Sequence, residues 1–249
     1  EWSSPFYIGR KITAANVADI LSMGGKCDFL TASVALTGKE TLRWIESLAR
    51  GMKHEADLAG ALIVGGDIAR GPKVVISMTA VGNASSPILR SGAKVGDGLY
   101  LSSLTGWSAA GLELLTREVS INSAIAERAL SEFSAPTLDY SSDFNGATAM
   151  ADVSDSVLIQ AEQIAEASGV QLALDQVLIS QATEFKDLST LADELKVDVF
   201  QWILGGGEDH VLLATGESLP GIRIGSVVAG SGIAGVDMKK APVSWSHFH

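Results

Sequence analysis

Apolar positions along the chain recur in two alternating rhythms, one helical and one extended. From residue 8 to 23 (IGRKITAANVADILSM) there is no proline and no glycine after Gly9, and the run stops at Gly24-Gly25, where helices typically end. A helix is predicted there, with Asn16 and Asp19 on one face. Residues 29–36 alternate and are β-branched enough for a strand, and Leu42, Ile45, Ala49, Met52, Ala56 and Ala59 then recur at three- and four-residue steps, an amphipathic helix. A short buried strand over 61–64 runs into Gly65-Gly66-Asp67; after the turn Arg70-Gly71-Pro72, a further strand covers 74–81 and ends at Gly82.

The stretch 83–98, rich in Gly, Ser, Pro and basic residues, interrupts this pattern, and the junction between two lobes is expected there, giving lobes of 1–83 and 84–249. Beyond it, strands are predicted at 99–103, 148–153, 170–175, 211–215 and 222–228, and helices at 109–115, 124–133, 157–167 and 188–195. Strands interleaved with helices in two lobes indicate an α+β / α/β architecture of packed layers rather than a sandwich or a bundle. No repeat of solenoid period is present.

Composition narrows the function. A length of 249 residues suffices for a sizeable core, which removes any need for disulfide or metal staples. The net charge of -11 and the lack of a basic run argue against a nucleic-acid partner, and the carboxylate excess suits divalent cations. No stretch approaches the roughly 18 uninterrupted apolar residues of a membrane span. The single cysteine, Cys27, lies beside Phe29 and Leu30 and is expected to be a buried small hydrophobe, which with no visible signal peptide points to the cytoplasm. The chain starts at Glu1 without a methionine, so sequence upstream of it is expected.

Familiar catalytic signatures are missing. There is no P-loop, no zinc-binding spacing among the four histidines and no nucleophile elbow; Gly106 to Gly111 reads as a strand-to-helix turn. The Gly-x-Gly-x-x-Gly at 230–235 is followed by no helical pattern and is expected to be a turn. What remains are acids at element ends: Asp19, Asp67, Asp152, Asp155 and Glu208-Asp209. Singly, Asp19 reads as solvated surface, Asp67 as a turn residue, Asp155 or Ser154 as a helix cap, and Glu208-Asp209 as a loop before a strand. As a set they are hard oxygen ligands for magnesium, with glycines beside them that let backbone amides approach phosphate.

The strings WSSPFYIGRKITAANVADILSMG, LIVGGDIARGP, LRSGAKVGDGLYLSSLTGWSAAGLELL, ADVSDSVLIQAEQIAEASGV, LGGGEDHVLL and WSHF occur in the order and approximate spacing of one family. Across essentially its whole length, the chain resembles the thiamine-monophosphate kinases of the aminoimidazole-ribonucleotide synthetase superfamily, which use ATP without a P-loop. The resemblance implies an N-terminal α+β lobe that forms a homodimer through its sheet, a C-terminal α/β lobe, and phosphoryl transfer from ATP to thiamine monophosphate. It implies magnesium at Asp19, Asp67, Asp152 and Asp155, with Asp67 and Asp155 closest to the chemistry. ATP falls to Gly66, Asp67, Arg90 and Ser154, and thiamine phosphate to Glu208 and Trp245.

Three departures from the family pattern stand out. Its upstream Gly-Asp-Asp and Thr-Asp segments, which supply further magnesium ligands and a substrate-contacting His, are not in this sequence. Ser156 replaces the usual Gly after Ser-Asp, and the link from Thr215 to Gly221 is short. Two other readings follow: a superfamily member acting on a purine intermediate, a selenium donor or a carbamoyl group, and a noncatalytic nucleotide-binding homologue. The apolar setting of Cys27 argues against the selenium chemistry, which needs a reactive N-terminal Cys or selenocysteine.

Overall fold

Helix α1 (Pro5–Leu21) begins three residues earlier than the periodicity alone indicates, because Pro5 fits the first helical position, where an amide would have no partner. Its end is as expected: Gly24 takes a φ of 67°, and the Gly25 amide returns to the Ile20 carbonyl. The computed structural model describes residues 2–236. Two units divide between Pro87 and Ile88.

In the first unit, β1 (Lys26–Leu36) is the middle strand of a three-stranded sheet, parallel to β2 (Leu62–Arg70) and antiparallel to β3 (Val75–Asn83). Helix α2 (Leu42–Ala59) is capped by the Thr41 side chain and closed by Gly60 in the left-handed conformation. It meets α1 at two glycines. A Cβ on Gly51 would lie 1.9 Å from the Phe6 carbonyl oxygen, and one on Gly9 would lie 2.2 Å from that of Leu48, so the backbones touch where side chains would hold them apart. Arg10 and Glu55 add an ion pair at 2.9 Å beside this crossing. The helices cover one sheet face, where Leu30 and Met78 are buried, while Phe29, Leu62, Val75 and Val81 remain exposed. Cys27 is buried as expected, and burial, followed by the Asp28 charge, pushes its thiol pKa up.

One expectation is corrected here. The strand predicted at 61–64 as short and buried is β2, which is exposed at every residue and continues to Arg70, and Gly65-Gly66-Asp67 lies inside it, with Gly66 opposite Ala32 and Asp67 opposite Ser33. These glycines make no turn. A Cβ on Gly66 would sit 2.0 Å from the Ala32 carbonyl oxygen, so glycine is what this close strand approach requires, and Asp67 is a strand residue.

The second unit contains, in chain order, β4 (Gly98–Leu101), α3 (Trp107–Thr116), α4 (Ala124–Ser134), β5 (Ala149–Asp152), α5 (Val157–Ser168), β6 (Gln171–Leu174), α6 (Gln176–Ser180), α7 (Phe185–Leu195), α8 (Val199–Gly205), β7 (Leu212–Gly216), β8 (Ile222–Val228) and β9 (Gly232–Ala234). Its sheet runs β5-β7-β4-β8-β6-β9, antiparallel except for the β6–β9 pair. Strands β4, β5 and β7 are buried at every residue, and Leu99, Leu101, Ile164, Leu188 and Ile203 are among the fully buried side chains of the core. Each contributes about 1.5–3 kcal/mol by leaving water. The predicted turn at 230–235 holds the short strand β9, flanked by Gly230 and Gly235 at positive φ. Among the described residues, no helix is long and apolar enough to cross a membrane.

Candidate functional site

Strand β5 is apolar until its last residue, Asp152, which is buried. The chain then turns through Ser154 and Asp155, both half-buried, into α5. The cap of that helix is neither Ser154 nor Asp155, as the sequence suggests, but Ser156, whose Oγ accepts the Ile159 amide at 3.1 Å. Ser156 has an extended backbone that any residue adopts, and its hydroxyl serves the helix, so its replacement of glycine leaves Ser154 and Asp155 outside the cap.

A second segment, 206–211, lies edge to edge against this turn. The Val153 amide donates to the Val211 carbonyl at 2.8 Å, the His210 amide to Val153 at 3.0 Å and the Glu208 amide to Ser154 at 2.8 Å. The approach is close enough to require glycine: a Cβ on Gly207 would lie 2.1 Å from the Asp155 carbonyl oxygen. Within the segment, Glu208 and His210 both hold left-handed φ values, 64° and 52°. This alternation leaves Glu208 exposed and buries Asp209 and His210.

Each buried side chain meets a defined partner. Asp209 accepts the Gly106 amide at 2.8 Å and the Ser108 amide at 2.9 Å, so its carboxylate sits at the N-terminus of α3. Burial pushes its pKa up to about 6, against the pull of those two amides. His210 Nδ1 lies 3.2 Å from Asp152 Oδ2, with both side chains buried. Beside Asp209 is a cavity of about 320 Å³, bordered by Trp107 and Arg128. Arg128 stacks 3.9 Å above the Trp107 ring and pairs with Glu184.

The structure therefore brings together Asp152, Ser154, Asp155 and Glu208 in the second unit. Arg90 is exposed in the same unit, beside the outer edge of β5, where the Met150 amide donates to the Leu89 carbonyl. Asp19, exposed near the end of α1, and Gly66 and Asp67, exposed in β2, belong to the first unit. Trp245 lies outside the described residues. Sequence reasoning missed Asp209 and His210 as positioned groups; the available signal was a run of three polar residues between Gly205-Gly206-Gly207 and an apolar strand.

Among the described residues, no three His, Cys, Asp or Glu side chains gather into a metal cage. Magnesium is commonly held by one or two carboxylates together with substrate phosphates. Asp152 and Asp155 are hard carboxylate donors of that kind.

Residues 2–84 match the family described as AIR synthase related protein, N-terminal domain. The thiamine-monophosphate kinase of Corynebacterium glutamicum is 37% identical over 238 residues, covering 91% of this chain and 71% of the relative. That of Mycobacterium tuberculosis is 36% identical over 220 residues, covering 86% of this chain, which spans 64% of the relative's length. A solved structure of AaThiL complexed with AMPPCP and TMP superposes with a TM-score of 0.90 at 27% identity, covering 98% of this chain and 81% of that one.

Proposed function

The chain belongs to the thiamine-monophosphate kinase family, and on that footing we propose that it transfers the γ-phosphoryl group of ATP to thiamine monophosphate, giving thiamine diphosphate. The observation that carries the reading is the pairing of turn 152–155 with segment 206–211. It gathers residues that the family resemblance assigns to metal, nucleotide and thiamine phosphate. The ligands of AaThiL, AMPPCP and TMP, are of the same two classes.

In this reading magnesium falls to Asp152 and Asp155 in the second unit and to Asp19 and Asp67 in the first, and its charge would neutralise and align two anionic reactants. Gly66, Asp67, Arg90 and Ser154 hold ATP, with the Arg90 guanidinium suited to forked hydrogen bonds with phosphate oxygens. Glu208 and Trp245 hold thiamine phosphate, where the indole offers a flat face to a cationic ring. The attacking oxygen of a phosphate monoester is already deprotonated near neutral pH, so the chemistry calls for no general base, and a direct in-line attack needs only alignment and charge neutralisation. We place the reaction in the cytoplasm, in keeping with a single buried thiol. We assign a homodimer to the first unit's sheet, whose helix-free face exposes Phe29, Leu62, Val75 and Val81.

Asp67→Asn and Asp155→Asn each remove one negative charge from the proposed magnesium shell. Both are expected to lower turnover by about 100-fold or more while leaving the unfolding midpoint unchanged. Steady-state rates at saturating magnesium check this, and near-normal turnover in both variants would contradict the assignment.

A further inference from the structure

His210 lies within the string LGGGEDHVLL, yet none of the roles the family resemblance assigns falls to it. Its position is nonetheless tightly specified. The backbone holds a φ of 52°, a conformation uncommon for non-glycine residues, although histidine is one of the types enriched there. Such departures persist where surrounding bonds over-determine them, and they cluster at functional sites. Here the determining bonds are the His210 amide to Val153 and the Val153 amide to Val211, which fix the segment on both sides of the residue.

The consequence of that backbone is the side-chain contact. A carboxylate near neutral pH accepts hydrogen bonds and donates none, so the 3.2 Å approach of Nδ1 to Asp152 Oδ2 makes Nδ1 the donor and fixes the imidazole tautomer. Asp152 is the final residue of β5, and its side chain is 3% exposed. Holding Oδ2 fixes the plane of the carboxylate and the direction in which Oδ1 points.

We propose that His210 is a positioning residue that orients Asp152 as a metal ligand through the Nδ1–Oδ2 hydrogen bond, a role that rests on the kinase reading above. Hydrogen bonds to ligating carboxylates are a recurring way of setting metal affinity, and their loss typically weakens binding about 10- to 100-fold. Asparagine is the informative conservative replacement, because its side-chain amide nitrogen occupies nearly the place of Nδ1 and it tolerates the left-handed backbone.

The test titrates Mn2+ into the full natural protein in the presence of AMPPCP and follows free Mn2+ by electron paramagnetic resonance, without turnover. His210→Phe, which keeps an aromatic ring but has no donor, is expected to raise the half-saturating Mn2+ about 10-fold or more. His210→Asn is expected to return it towards the unsubstituted value. Equal Mn2+ affinity in the unsubstituted and Phe proteins would overturn the role of His210 while leaving the kinase reading intact. If the unsubstituted protein with AMPPCP bound no Mn2+, the kinase reading itself would fail and this inference with it. A second measurement holds even if the Phe variant does not fold: nitrogen-15 NMR of the unsubstituted protein should show His210 protonated at Nδ1, and an unprotonated Nδ1 would overturn the proposal.

Discussion

Asp209 is a carboxylate kept out of water and answered by two backbone amides of the α3 N-terminus. Its pKa rises from 3.8 to about 6 on folding, so the folded protein holds this proton more tightly than the unfolded chain. The associated stability is complete below about pH 4 and is lost as pH climbs through about 6. Between pH 5 and 7 the loss is on the order of 1 kcal/mol. Asp209→Asn cannot ionise, and urea unfolding across that range is expected to show a flatter pH dependence than in the unsubstituted protein; parallel slopes would contradict the account. The sequence marks Asp152, Asp155 and Glu208 as acids at element ends, and that much was legible. It could not show that Asp209 and His210 are buried, because their partners lie 101 to 103 and 58 residues away and no local period registers such contacts.

At the scale of elements, most strands and the longer helices were readable, whereas the two shortest helices and the full length of β2 were not. The six-point apolar stripe of α2 gave both its ends, whereas α6 and α8 are too short for a period to emerge. Their N-caps, Asp175 and Asp198, were present in the sequence without a stripe to attach them to. Strand β2 was cut short because paired glycines usually punctuate chains, whereas here Gly66 serves close contact with β1 and Gly65 follows a register shift within the strand. The same physics makes the α1–α2 crossing testable. In Gly51→Ala the new methyl would begin 1.9 Å from the Phe6 carbonyl oxygen, and the helices must separate. The expected cost is about 1–3 kcal/mol, lowering the melting temperature by roughly 2–4 °C for each kcal/mol. Calorimetry measures this directly, and an unchanged transition would show that the crossing is looser than the glycines indicate.

For the whole molecule, the two-lobed α+β reading and the family resemblance agree with the strands, helices and relatives found. The chemistry of the complete protein is the larger claim, since this chain spans 64% of the Mycobacterium tuberculosis relative. Phosphorus NMR of the full natural protein incubated with ATP, magnesium and thiamine monophosphate tests that claim most directly. The account predicts that the diphosphate signals of thiamine diphosphate and ADP grow together, one for one, as ATP and thiamine monophosphate disappear. Binding of ATP with no thiamine diphosphate formed would contradict it and identify a noncatalytic nucleotide-binding homologue.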